Sequence, residues 1–328
     1  MTDPKVYDDE EFERYLKIRR LVDVHYDLQD VRIRTEARLR QMPKESELYG
    51  GTVRKLEASI KGKVQNSLNG IPIYETFFSR VYGVGPLISG WIIGKTMIRF
   101  DRISKKDFQT AIDYLDAPDE VRAEMESTDF LRLSHSQVRL AQKTKDGNYL
   151  YPTIRGIGAF DTVSKYWAWW GLHVTEEGRR PRRKRGETLD YDSSLRMFAN
   201  RIGTSFKRLG KNKKTGAPTF YNKIYTGYKR RLFDNPRHVR VGGKKVLSPA
   251  FKEIIETPEI CPYYTEQFCS KGPCKGHLDR MAISFAVKVF LSHVWEQWRM
   301  LEGLPVRQPY ALDKLAHRTY IDWEPDRN

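Results

Sequence analysis

Residues 281–301 place apolar side chains on nearly every side of a helix, and this stretch constrains the fold more than any other. A helix that is apolar all round is stable only when other elements surround it. We therefore predict a mainly α-helical protein with this helix at the centre of its core, ending at Gly303 and Pro305. His293 lies on the same helix, and we expect a core residue with satisfied hydrogen bonds rather than a ligand.

Charge is the second constraint. The 328 residues include 58 Lys and Arg against 42 Asp and Glu, which gives a net charge of +16. Such an excess attracts polyanions, and aromatic residues among the basic ones favour nucleic acid over a membrane surface. The sequence starts with acidic residues, and its most apolar window, 85–98, is too short to cross a bilayer. We expect a cytoplasmic, nucleoid-associated protein that does not contact membranes.

Two helices are predicted near the N-terminus, over residues 8–42 and 51–68, the second ending before Asn69-Gly70. An apolar seam with 3-4-3 spacing on the first helix consists of Leu21, Val24, Leu28 and Val31. The seam covers only two heptads, which favours docking on the protein's own core, with a homo-oligomer as the alternative. We divide the chain into an N-terminal helical region (residues 1–70), a main domain (71–310) and a C-terminal tail (311–328).

A Gly-apolar-Gly turn, Gly83-Val84-Gly85, interrupts the apolar pattern of residues 71–95. Two apolar helices around such a turn, with the small residue Ser89 four positions after it, are typical of a helix-hairpin-helix motif. The glycines permit a tight turn, and free N–H groups at the start of the second helix can hold a phosphate. The alternative is an ordinary corner in a core, but the basic composition favours phosphate binding by Gly83, Val84 and Gly85.

A second turn of this kind contains Gly156 and Gly158, to which we assign the same phosphate-binding role. The helix that follows carries the aromatic residues Tyr166, Trp167, Trp169 and Trp170. These side chains can stack on bases, but packing in a core is the favoured interpretation. Residues 101–150, between the two turns, are predicted to be helical and polar, with His135 at the surface or in a helix cap.

Basic residues concentrate after these turns, around helices expected over 191–208 and 219–233. A surface of this kind can follow the phosphates of a nucleic acid without reading its sequence. The plainer alternative is a set of solvated loops or localisation signals. The residues assigned to phosphate binding are Arg179, Arg180, Arg182, Arg183, Lys184, Arg185, Lys211, Lys213 and Lys214.

The three cysteines of the chain lie in one short segment, as Cys261, Cys269 and Cys274, and His277 follows. Three thiolates and one imidazole form a closed ligand set of the kind that holds a structural Zn²⁺. Three cysteines cannot form a closed disulfide framework, and their clustering argues against unrelated reduced thiols. We predict a small structural zinc loop over residues 261–277, with a finger that binds single-stranded RNA as the alternative.

The order of several sequence blocks resembles one known family. The blocks are GVGP (83–86), YWAWWGL (166–172), RRKRGETLDYDSSLR (182–196), GTSF (203–206), HLDRMAISFAVKVFLSHVWEQWR (277–299) and LPVRQPY (304–310). Over residues 70–310 the chain is similar to the transposase domain of the IS one-ten/one-sixteen family of insertion-sequence recombinases. It looks especially like short archaeal proteins that carry this domain.

The resemblance implies a domain that supplies a nucleophilic serine, an RNA that guides target choice, and a preceding RuvC-like domain with four acidic residues. Two features depart from that pattern: the N-terminus is helical, and the sequence after Gly171-Leu172 reads HVTEEGRRP where the family usually has a serine beside a glycine. Ser193 and Ser194 are the available hydroxyls beside the basic loop. The favoured interpretation is that a serine after Asp192 caps a helix.

These features together predict a nucleic-acid-binding protein, related to a transposase domain, that binds DNA through backbone phosphates without recombinase activity. One alternative is an active serine-dependent recombinase that acts with a RuvC-like partner. Another is a protein that binds structured RNA.

Overall fold

The protein is mainly helical in the computed structural model, as the sequence predicts. The structure describes residues 7–126, 131–173, 181, 191–213, 215–234, 238–241, 244–247, 275–306 and 321–326. The helices are α1 (Asp9–Arg38), α2 (Pro43–Leu68), α3 (Pro72–Thr76), α4 (Pro86–Met97), α5 (Lys105–Asp116), α6 (Asp119–Met125), α7 (His135–Leu140), α8 (Val163–Trp169), α9 (Ser193–Arg208), α10 (Phe220–Asp234) and α11 (Lys275–Leu301). The strands are β1 (Ile98–Ile103), β2 (Gln142–Lys143), β3 (Tyr149–Ile154), β4 (His238–Val241) and β5 (Lys244–Leu247).

The chain forms two compact units, each assembled from separate stretches of sequence. The first unit joins Met1–Asn69 to Pro86–Ala159, and the second joins Gly70–Gly85 to Phe160–Asn328. Residues 86–159, which the sequence predicts to lie in the main domain (71–310), group with the N-terminal helices in this division. Among the described residues, no helix has the length and apolar character needed to cross a membrane.

The two N-terminal helices of the first unit are confirmed. Helix α1 begins where Asp8 accepts a hydrogen bond from the Glu11 amide at 2.7 Å, a standard N-cap that suits the acidic first turn. It ends at Arg38, four residues before the predicted end. Helix α2 begins at Pro43, earlier than predicted, and ends at Leu68 as expected.

Helix α1 packs on α2 and α4 within its own unit, which confirms docking on the core. The predicted contact face is wrong, however, because Val24 is 44% exposed and Val31 is 48% exposed. The buried face lies one residue away around the helix and includes Ile18, Val22 and His25. Gly90 of α4 permits this contact, since a Cβ there would lie 3.1 Å from a Val22 methyl group of α1 and 2.8 Å from a Val64 methyl group of α2.

A three-stranded antiparallel sheet, in the order β1-β3-β2, occupies part of the region predicted to be helical. Strands β1 and β3 pair from Ile98 opposite Ile154 to Ile103 opposite Tyr149. Helix α5 covers one end of the sheet, where Phe108 stacks on Tyr149 with 4.0 Å between ring centroids. The helical prediction for 101–150 is therefore right for α5, α6 and α7, and wrong for the strands. His135 is exposed at the start of α7, as predicted.

Helix α11 forms the centre of the second unit, as predicted, and packs against α3, α8, α9 and α10. Phe290 on this helix contacts the rings of Phe77, Phe206 and Tyr221. The helix ends at Leu301, and the left-handed Gly303 follows with φ +66°, which confirms the predicted end.

His293 of α11 is 1% exposed and has both ring nitrogens hydrogen-bonded. Its Nε2 lies 2.6 Å from the Ile321 carbonyl, and its Nδ1 lies 2.9 Å from the Tyr221 hydroxyl. A carbonyl can only accept, so Nε2 carries the proton and Nδ1 accepts from Tyr221. The prediction of a satisfied core histidine is confirmed.

Candidate nucleic-acid interface

Helices α9 and α10 form a basic helical hairpin (residues 191–234), and both helices were predicted from the sequence. Its sequence contains eleven Lys and Arg against two Asp. Helix α9 buries Leu195, Phe198 and Ile202 along one face, which leaves its polar residues at the surface. The exposed basic residues of the hairpin are Arg201, Lys207, Arg208, Lys211, Lys213, Lys223, Arg230 and Arg231.

The loop over residues 209–219 is held by backbone hydrogen bonds. The Asn212 amide donates to the Ala217 carbonyl at 2.8 Å, and the Thr219 amide donates to the Gly210 carbonyl at 3.0 Å. The Asn222 side chain also donates to the Phe206 carbonyl at 3.1 Å, which ties α10 to the end of α9. Lys211 and Lys213 therefore project from a structured loop, so less backbone entropy is lost when they bind an anion.

Two lysines of the hairpin are paired with one carboxylate. Lys207 and Lys229 each lie 2.7 Å from an oxygen of Asp279 on α11, and the Tyr225 hydroxyl donates to the same carboxylate. Burial alone would raise the pKa of Asp279, but the hydrogen bonds from Lys207, Lys229 and Tyr225 outweigh it and lower that pKa to about 2. This cluster joins three helices, and its carboxylate partly neutralises the two lysines.

The first Gly-apolar-Gly turn lies beside α9. Gly83 has φ +92° and packs closely, since a Cβ there would lie 3.4 Å from the Ser205 hydroxyl oxygen. That hydroxyl donates to the Gly83 carbonyl at 2.7 Å. The element before the turn is the short helix α3 followed by a 3₁₀ turn at Phe78–Arg80, and α4 after it belongs to the other unit. A helix-hairpin-helix motif is therefore not shown, and phosphate binding by Gly83, Val84 and Gly85 stays a prediction.

The second turn is not a helix-hairpin-helix. Gly156 has φ +65°, but the element before it is strand β3, and Gly158 lies in a 3₁₀ turn at Ile157–Ala159. A Cβ on Gly156 would lie 2.5 Å from the Tyr7 hydroxyl oxygen, so packing against Tyr7 accounts for this glycine. The Gly-apolar-Gly pattern does not distinguish a strand-to-helix connection from a helical hairpin, because a glycine can adopt a positive φ in either.

The C-terminal segment contributes a group that the sequence analysis missed. Residues 321–326 lie against the second unit, and the Asp326 carboxylate accepts from two backbone amides. The Phe220 amide, at the start of α10, donates at 2.7 Å, and the Tyr82 amide, just before Gly83, donates at 3.0 Å. No local sequence pattern indicates these contacts, because the partners are far away along the chain.

The two candidate serines lie in the first turn of α9. The N-cap is Asp192, whose carboxylate accepts from the Ser194 amide at 2.8 Å, so the cap is the aspartate and not a serine. The Ser194 hydroxyl is buried without a hydrogen-bond partner among the described residues. Within the part of the chain that the structure describes, no side chain is hydrogen-bonded to this hydroxyl as an activating base would be.

The aromatic residues in α8 and directly after it pack mainly in the core. Tyr166 and Trp170 are fully buried, and the Trp167 indole donates to the Lys288 carbonyl at 3.1 Å. The favoured interpretation is thus confirmed for Tyr166 and Trp170, which no base could reach in this conformation.

Several predicted site residues lie outside the described part of the chain. They are Arg179, Arg180, Arg182, Arg183, Lys184, Arg185, Lys214, Cys261, Cys269 and Cys274. The backbone of His277 lies in the first turn of α11, but the position of its side chain is not described. Within the described residues, no group of three or more His, Cys, Asp or Glu side chains is arranged to hold a metal ion.

Comparison with known proteins gives no identification. No family model matches the sequence, and neither a curated protein nor a solved structure is significantly similar to the chain.

Proposed function

We propose that the protein binds nucleic acid through backbone phosphates, and that duplex DNA is its ligand. The observation that carries this proposal is the basic helical hairpin, whose exposed cations lie on two packed helices and a hydrogen-bonded loop. Phosphate contacts from Lys and Arg give affinity and orientation but do not read sequence. The resemblance to a transposase domain agrees with such a role, and the position of Ser193 and Ser194 favours binding without strand cleavage.

Binding should be tested on the full chain by fluorescence anisotropy with a labelled mixed-sequence duplex of 20 base pairs. Five phosphate contacts would give a slope of log K against log salt of about −4.5. Binding that is steep in salt and insensitive to sequence is the expected result. Absence of binding at low salt would overturn the proposal, and far better competition by structured RNA than by duplex DNA would make RNA the ligand.

We also propose that Cys261, Cys269, Cys274 and His277 hold a structural Zn²⁺. The ligand types and spacing support it, and a metal there would fix the preceding segment to the start of α11. The purified protein should contain about one zinc per chain by elemental analysis, as a closed structural site requires. Cys269→Ser should lower the zinc content and the melting temperature, and an unchanged zinc content would contradict the assignment.

A further inference from the structure

The C-terminal strap (residues 321–326) is held on the second unit by contacts along its length. The Ile321 carbonyl accepts from His293 at 2.6 Å, and the Trp323 ring lies 4.7 Å from the Phe77 ring between centroids. The Asp326 amide donates to the Arg80 carbonyl at 3.0 Å. The strap therefore holds the Asp326 carboxylate at a defined place.

The Asp326 carboxylate is bound by two backbone amides from different parts of the chain. One is the Phe220 amide in the first turn of α10, where the helix dipole favours an anion. The other is the Tyr82 amide, which directly precedes the Gly83 turn. A carboxylate accepts from both, and a phosphate oxygen has the same charge sign and the same acceptor chemistry.

The Asp326 carboxylate contacts the basic helical hairpin. The Asp326 carboxylate binds the Phe220 amide at the start of α10, and the loop that carries Lys211 and Lys213 directly precedes this helix in the sequence. A phosphate that followed these lysines towards the helix would meet the two amides with Asp326 already bound. A nucleic acid that reached these amides would compete with the strap for the same donors.

We propose that the strap is an autoinhibitory element in which the Asp326 carboxylate takes the place of a backbone phosphate. Nucleic acid then binds in full only when the strap leaves the Tyr82 and Phe220 amides. The apparent dissociation constant equals the intrinsic one divided by the fraction of molecules with the strap released. This inference rests on the proposed function, since it assigns one phosphate subsite within it.

The test compares two isosteric substitutions on the same strap. Asp326→Asn removes the charge that binds the two amides, and Glu324→Gln removes the same charge from an exposed side chain nearby. If the strap is docked in about 80–90% of molecules, its full release by Asp326→Asn tightens binding of the labelled duplex about five- to tenfold. Glu324→Gln should tighten it less than about twofold, through general charge alone. Melting temperatures of all three proteins establish that each is folded.

Equal affinities for the two variants would overturn the proposal, since the effect would then be one of net charge. Weaker binding by Asp326→Asn would also overturn it, because Asp326 would then support the binding surface instead of occupying it. If neither the wild type nor either variant binds duplex DNA at low salt, the proposed function itself fails, and the two failures are thus distinguished.

Discussion

The helical hairpins α1–α2 and α9–α10 use their charges in opposite ways. Residues 7–69 contain thirteen Lys and Arg against twelve Asp and Glu, whereas residues 191–234 contain eleven against two. In the first hairpin, cations pair with carboxylates of the same hairpin: Arg32 lies 2.7 Å from Glu57, and Arg54 lies 2.8 Å from Glu36. The positive charge of the protein is thus concentrated in certain regions. The overall composition does not show which regions these are.

The largest expected difference between the hairpins is in nucleic-acid affinity. The triple substitution Arg208→Glu, Lys211→Glu and Lys213→Glu should weaken duplex binding about 500-fold at 0.1 M salt, because each lost phosphate contact reduces the salt slope by about 0.9. Fluorescence anisotropy measures both the affinity and the slope.

The matched control places three reversals on exposed lysines of α2, at Lys55, Lys61 and Lys63. We expect less than about a threefold loss, from long-range charge alone. An equal loss in both variants would mean that the protein attracts DNA by net charge, with no defined surface.

A pH effect at His293 comes next in size. Burial lowers the pKa of His293 from 6.5 to about 4. The unfolded chain takes up a proton below pH 6.5 and the folded protein does not until about pH 4, so the free energy of unfolding falls over this interval. The loss reaches about 3 kcal/mol at pH 4, and the contribution is intact above pH 6.5.

Denaturant unfolding of the wild type and of His293→Gln between pH 7.5 and pH 4 would measure this effect. The stability advantage of the wild type should shrink as the pH falls. A difference that stays constant with pH would refute the assignment. His25 in α1, whose pKa burial also lowers, provides the same comparison in the first hairpin through His25→Gln.

Each hairpin region also has a carboxylate held by two cations. Asp279→Ala should lower the free energy of unfolding by about 2 kcal/mol, because it leaves Lys207 and Lys229 together without their partner. Glu36→Ala should lower it less than Asp279→Ala does, since these groups are more exposed and Arg32 and Arg54 keep Glu57 and Glu47 as partners. Urea unfolding measures both values, and the reverse order would contradict the interpretation.

The smallest effect is expected for the exposed pair Arg54–Glu36. A double-mutant cycle on the two residues should give a coupling free energy smaller than the loss caused by Asp279→Ala, and it should decline at 1 M salt. A coupling free energy as large as the loss caused by Asp279→Ala would show that the first hairpin depends on its surface ion pairs for stability.

Features with a local cause were predictable from the sequence. Asp8 and the acidic first turn marked the start of α1, and the all-round apolar pattern identified α11 as the centre of a core. Helices α9 and α10 were likewise found from their own sequence. In each case, residues within a few turns of one another determine the element.

Pro152 makes strand β3 difficult to predict from the sequence. A proline inside an apolar run argues against a strand, because it lacks an N–H for the ladder. In the structure the Pro152 carbonyl accepts from the Gln137 side chain at 3.0 Å, beyond the end of β2. Both backbone groups of a residue in an antiparallel strand point to the same side, so the missing N–H faces away from β1 and costs no ladder bond.

The strap could not be predicted because its contacts are with residues far away in the sequence. Asp326 reads as an ordinary acidic residue in a polar tail, and only the fold brings it to the amides of Tyr82 and Phe220. The same holds for Lys207 and Lys229, whose shared carboxylate lies on another helix. Which cations are available to a ligand is a property of tertiary structure.

The interleaved order of the two units has a consequence for assembly. The two sequence stretches of the first unit are joined by Gly70–Gly85, sixteen residues that belong to the second unit. Closing a loop of this length costs little chain entropy while the chain is intact. A single cut between residues 70 and 85 would turn that closure into the association of two separate fragments, so that the first unit would persist only above a threshold protein concentration.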